Sequence, residues 1–162
     1  MKCLKRALCL MLTSLLVMLV CSCGASDYAN NIGIETIDAR VKDELALNGG
    51  YYNADSDFMA FTFHDPEYVD DYAVTFAQAS TDISEYGIFH VSDADKVDDM
   101  VELAEEYLES YKANWMTNYL AEEYPKIENA QVKAFGSYVV YSILDEDATN
   151  RLHEAVEQAL TK

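Results

Sequence analysis

The chain has 162 residues, with 29 acidic against 11 basic side chains and a net charge of −18. That balance argues against nucleic acid as a partner, because phosphate contacts require clustered Lys or Arg. Anionic lipid head groups also repel such a surface, so charge does not hold it to a membrane.

The first segment reads as an export address. Lys2, Lys5 and Arg6 precede an apolar run over residues 7–20, broken only by Thr13 and Ser14, and the first acid is Asp27. A basic start, a short apolar stretch and small residues at the exit are the parts of a secretory signal. Val20-Cys21-Ser22-Cys23 resembles the bacterial lipobox: an aliphatic residue, two small ones, then a cysteine. Cys23 fits better than Cys21, because Ser22 is small whereas Cys21 follows branched Val20. The resemblance implies a signal over residues 1–22, cleavage before Cys23, and a thioether-linked diacylglycerol on the Cys23 thiol. Two acyl chains anchor stably, at about 0.8 kcal/mol per buried CH₂. The alternative is an uncleaved spanning helix, but the uncharged run over residues 7–23 is short for about 30 Å of hydrocarbon. In both cases the positive flank stays inside and the remainder goes out. The expected location is therefore the outer face of the bacterial cytoplasmic membrane.

The cysteines are Cys3, Cys9, Cys21 and Cys23. After cleavage only Cys23 remains, acylated, so the folded part has no internal disulfide. A domain of this size buries about two-thirds of its unfolded surface and holds together by packing. Residues 23–33, small and polar, are expected to form a lipidated flexible tether. Residues 34–162 are expected to form one domain.

Within that domain, Ile34, Ile37, Val41 and Leu45 recur at helical spacing, and Asn48-Gly49-Gly50 ends the pattern. Residues 51–64 fit either a strand or a short helix, since Met59, Phe61 and Phe63 alternate. Asp65-Pro66-Glu67 predicts a brief helix to about residue 71, from a capping acid and a proline at the first helical position. Tyr72, Val74 and Phe76 alternate as in a strand. Residues 86–91 follow as a second strand, apolar on both faces and so interior. Ser92, with Asp95 three residues on, is expected to cap the longest helix. Its stripe is Val97, Met100, Val101, Ala104, Leu108, Tyr111 and Trp115, ending near Asn118. A short turn is expected over residues 122–127. Gly136-Ser137 joins two strand-like runs as a tight hairpin. Asp145 caps a last helix with the stripe Ala148, Leu152, Val156 and Leu160. The expected class is α+β: a single, mainly antiparallel four-stranded sheet packed with helices, in the order α-α-β-β-α-β-β-α.

Three segments carry a family resemblance: residues 65–72, residues 82–91, and Asn129-Ala130-Gln131-Val132 running through Gly136-Ser137-Tyr138-Val139-Val140. With the lipobox and the acidic helix, they resemble a family of bacterial lipoproteins carrying a domain of unknown function, common in clostridial Gram-positive anaerobes. His90 stands where that pattern has lysine. The resemblance implies architecture and location, and no activity.

No catalytic set emerges. There is no Gly-x-Ser-x-Gly elbow, and Ser92 and Ser137 are accounted for as a cap and a turn. His153 and Glu157 lie four apart on a helix but lack the second histidine of the zinc-protease motif, so a surface helix is the better reading. Asn53, Asp55 and Asp57 imitate the start of a calcium loop. Phe58, however, replaces its glycine, and His64 stands where the bidentate acid belongs. Acid pairs are inevitable in so acidic a chain and do not by themselves indicate a glycosidase. Tyr51, Tyr52, Tyr107, Tyr119 and Tyr124 are candidates for a face that stacks on sugar rings or peptides. The expectation is a lipid-anchored module without catalytic, cofactor or metal residues. It binds the membrane through Cys23 and a protein, peptide or wall component through its surface. A carboxylate-dependent hydrolase and an accessory subunit of a membrane complex are the alternatives.

Overall fold

A computed structural model describes residues 28–46, 50–116 and 118–161. Cys23, the rest of the expected leader and the Asn48-Gly49 helix stop lie outside the described residues. Among the described residues, no helix is long and apolar enough to cross a membrane.

The fold is α+β, with one antiparallel sheet between two helical layers. The elements in order are α1 (Ile34–Leu45), β1 (Tyr51–Asn53), α2 (Ser56–Phe58) continuing into a π-helical turn (Met59–Phe63), β2 (Val69–Ala77), β3 (Glu85–Val91), α3 (Val97–Asn114), α4 (Tyr124–Glu128), β4 (Gln131–Phe135), β5 (Tyr138–Ile143) and α5 (Glu146–Leu160). The strand order is β1-β2-β3-β5-β4, and every neighbouring pair is antiparallel.

Two corrections to the sequence expectation follow. The sheet has five strands rather than four, because the ambiguous segment supplies both an edge strand (Tyr51–Asn53) and a helical turn. The brief helix expected over residues 65–71 is absent. His64 and Asp65 both have positive φ, at 61° and 45°, and the Val69 amide donates to the Pro66 carbonyl at 2.9 Å. The chain thus turns and enters β2 directly. Aspartate before proline serves a turn as well as a helix start, which is why the signal misled.

The two faces of the sheet follow from period-two alternation in the central strands. On β3, Tyr86 and Ile88 pack with Tyr138 and Val140 of β5 against α1 and α5. On the other face, Phe89 and Val91 pack with Val139, Tyr141 and Ile143 against Met100, Ala104 and Leu108 of α3. Both strands are buried on both sides, as the apolar residues on opposite faces of β3 predict for that strand. The stripe of α5 is buried at Ala148, Leu152, Val156 and Leu160. Asp145 caps this helix by accepting from the Ala148 amide at 2.8 Å.

The start of α3 differs in detail. Asp93, not Ser92, accepts from the Asp95 amide, at 3.0 Å, while Ser92 Oγ donates to the Tyr68 carbonyl. The helix ends at Asn114, and Trp115 leaves it in an extended conformation. Gly136, at φ 61°, makes the tight β4–β5 turn.

Of the segment expected as a tether, residues 28–33 lie along the domain. Tyr28 bridges Thr161, and the Ala29 amide donates to the Leu160 carbonyl at 2.8 Å. Tyr138 OH donates to the Ile32 carbonyl at 2.6 Å and accepts from the Ile32 amide at 2.9 Å.

Candidate functional site

An acid begins β3. Alternation turns Glu85 toward the α3 face, where its side chain meets Tyr107 from α3 and Tyr141 from β5. Both phenols donate to the same oxygen, Oε1, at 2.8 Å and 2.5 Å. The residue is 3% exposed. Burial raises its carboxyl to about 7, and the two phenol hydrogen bonds only partly oppose that rise. The Tyr141 phenol is pushed well above its ordinary value by burial, then by the neighbouring Glu85 charge.

The neighbouring residue, Tyr86, points the other way and meets a second buried acid. Tyr86 OH donates to Asp38 Oδ1 at 2.8 Å, and Lys42 Nζ donates to Asp38 Oδ2 at 2.6 Å. The two faces of the sheet therefore differ. Asp38 has a cation beside it, whereas among the described residues Glu85 forms no ion pair.

Glu85 opens onto a cavity of about 470 Å³, lined also by Tyr52, Phe76, Gln78, Tyr107 and Tyr111. Two further hollows share its walls, and a third adjoins one of these through Trp115. One reaches Phe58 past Tyr52 and Phe76; two continue through Tyr111 and Trp115 to Tyr119. Together they form a groove walled by aromatic rings. Tyr52 stacks on Phe76 at 5.1 Å between ring centres, and Tyr111 on Trp115 at 6.0 Å. Trp115 and Tyr119 are 5.7 Å apart. Tyr52 is 53% exposed and Tyr119 52%, so both ends present ring surface to solvent.

The rim at residues 82–84 is held by a staple. Lys126 of α4 donates to Asp82 at 2.7 Å, Glu123 at 2.6 Å and Ser84 at 3.0 Å, and Glu123 also accepts from the Ile83 amide. Burial works to raise the Asp82 carboxyl, but hydrogen bonds from Lys126 and Ser84 outweigh it and leave it below its ordinary value. Asp82 is thus a committed anion, while Glu85 is poised between its two forms.

The tyrosines singled out in the sequence divide. Tyr52, Tyr107 and Tyr119 line the groove. Tyr51 faces the other way, beneath Lys42, whose Nζ lies 4.8 Å from the ring centre. Tyr124, half-buried at the start of α4, packs against the core. The calcium-like ligands are engaged separately: Asn53 accepts from Lys42 at 2.7 Å, and Asp55 caps α2 through the Phe58 amide. Among the described residues, no group of three or more His, Cys, Asp or Glu side chains is placed to hold a metal ion.

His153 does not belong to a surface face. It is buried against Phe135, 5.8 Å between ring centres, and among the described residues its Nε2 has no hydrogen-bond partner. Burial, then nearby Lys133, lowers its affinity for a proton. Glu157 points elsewhere and accepts from Tyr28 OH at 3.0 Å.

Sequence reading missed Glu85 and Tyr141. The available signals were an acid opening an interior strand and a glycine, Gly87, inside it, which marks a close approach.

A family model described as Domain of unknown function (DUF4358) matches residues 64–144. That span holds β2 to β5 with α3 and α4, including Glu85, Tyr107 and Tyr141, and leaves out α1, α5, Tyr52 and Phe58. No curated protein and no solved structure matches the chain.

Proposed function

The chain belongs to the family described as Domain of unknown function (DUF4358), and from that premise we propose that it is a lipid-anchored binding module on the outer face of a bacterial cytoplasmic membrane. Anchoring rests on the lipobox-like Val20-Cys21-Ser22-Cys23, with lipid on Cys23. Binding rests on one observation: the continuous aromatic groove from Phe58 to Tyr119, with exposed rings at both ends and a buried acid between them. Exposed rings side by side gain free energy only when something covers them, and tyrosine and tryptophan do this at small entropic cost.

Two acids line the central cavity, which raises hydrolysis as a second reading. A pair of catalytic carboxylates needs one proton donor and one free base or nucleophile. Asp82 is held by Lys126 and Ser84, and Glu85 Oε1 by two phenols, so the arrangement favours holding a ligand over cutting one.

Photo-crosslinking in intact cells tests the reading. A benzophenone side chain replacing Tyr52 or Tyr119 in the full chain is expected to give a discrete adduct, absent when the same group replaces exposed Glu154 of α5. Identical adduct patterns from all three positions would overturn it.

A further inference from the structure

We propose that the cavity beside Glu85 receives an organic cation, an ammonium group on an aliphatic stem, with the Glu85 carboxylate as its counter-ion and the rings of Tyr52, Tyr107 and Tyr111 as its walls. The inference rests on the binding reading above and adds the chemistry of the ligand.

The first support is an unfinished pairing. Glu85 is 3% exposed, and two phenols occupy Oε1, yet Oε2 takes no hydrogen bond from any described residue. Buried carboxylates are normally paired. The protein shows its own solution on the other face of the same sheet, where buried Asp38 has Lys42 at 2.6 Å. Glu85 has no such lysine. Lys126, the cation of the rim, is committed to Asp82, Glu123 and Ser84.

The second support is the wall. Ring faces carry negative potential and attract ammonium groups, most strongly where water is excluded. The third is the field: a chain of net charge −18 concentrates cations and repels anions. A phosphate or carboxylate ligand would meet both Asp82 and Glu85.

Binding is coupled to a proton. Burial holds Glu85 near 7, and the ammonium requires it ionised. Near neutral pH, seating the cation therefore releases a proton to solvent. The other groups around the cavity are Tyr107 and Tyr111 from α3, Tyr141 from β5, Tyr52 from β1, and the Asp82–Lys126–Glu123 staple. Burial raises the Tyr107 and Tyr141 phenols, and Asp82 stays ionised, so Glu85 is the group that titrates in this window.

Titration of the full chain with n-butylammonium, with n-butanol as neutral isostere and a neutral chitotriose as a third probe, tests the proposal at physiological salt. The amine is expected to shift the NMR signals of Tyr107 and Tyr141. Its affinity should rise about tenfold from pH 6 to pH 8, as a group titrating near 7 ionises. Glu85→Gln should abolish that rise, and Tyr52→Ala, at the exposed mouth, should weaken binding without touching the buried cluster. Equal binding of butanol, an affinity flat with pH, or an unchanged Glu85→Gln variant would overturn the proposal. Chitotriose binding in the groove equally at both pH values would overturn the cation and leave the binding module standing. Loss of position-specific crosslinks from Tyr52 and Tyr119 would overturn the module itself.

Discussion

Gly87 leaves room for the ring of Tyr141: a Cβ built on this glycine would lie 2.1 Å from Tyr141 Cε1. The two residues are paired across β3 and β5, and the ring occupies the space a Cβ on Gly87 would need. That position sets the phenol at 2.5 Å from Glu85 Oε1.

Gly87→Ala is therefore expected to push Tyr141 off Glu85. Overpacking of this kind costs roughly 1–3 kcal/mol. Urea denaturation should show a lower midpoint, and the Tyr141 ring signals should shift. A midpoint equal to wild type would mean the ring does not occupy that space.

Glu85 makes stability depend on pH in a direction opposite to most carboxylates. Its carboxyl titrates near 7 in the fold against 4.5 ordinarily, so its contribution is fully present below the ordinary value and is lost as pH rises through 7. The difference corresponds to about 3 kcal/mol between pH 4 and pH 8. Glu85→Gln, which keeps an oxygen for the phenols, should remove it. Relative to wild type, the variant should gain stability as pH rises from 5 to 8. Parallel curves for the two proteins would place Glu85 in water rather than in the core.

His153 works in the reverse sense. Its imidazole is held below the ordinary 6.5, so its contribution is present above that value and lost as pH falls through the lower folded value. His153→Leu, of similar size, removes the orphaned Nε2 from an apolar site. The thermal midpoint of wild type should fall more steeply than that of the variant between pH 7 and pH 5. Equal slopes would mean the imidazole is hydrated.

Cys23→Ser tests the anchor directly. Cells fed an alkyne-tagged fatty acid should label the wild-type chain and leave the variant unlabelled at the mass of an uncleaved precursor. Label persisting in the variant would remove Cys23 as the attachment site.

Periodicity made the long helices legible, because Met100, Ala104 and Leu108, or Leu152, Val156 and Leu160, bury one continuous stripe, and Gly136-Ser137 made the hairpin legible. The interior position of β3 was legible for the same reason: Ile88 and Phe89 are apolar on opposite faces. The segment around Asp65-Pro66 was not, since the deciding fact is the positive φ of His64 and Asp65, which neither residue type announces. Edge strand β1 is three residues long and exposed throughout, so it leaves no pattern. The site was legible only in its rim. Tyr52, Tyr107 and Tyr119 stood out as aromatic residues, but Glu85 and the Tyr141 phenol that holds it from below are 56 positions apart, and only strand pairing brings them together.

The clasp that holds residues 28–33 lies at one end of the central strands, where the Asn30 carbonyl lies 3.2 Å from His90 Nε2 and Ile32 meets Tyr138. Glu85 opens the same strand at its opposite end, about 20 Å away along seven residues of β3. With lipid on Cys23, only residues 24–27 separate the bilayer from the clasped segment. On the proposed anchoring, the clasped pole of the domain is the one nearer the membrane, and the Glu85 end of β3, with the mouth of the groove, is the farther one.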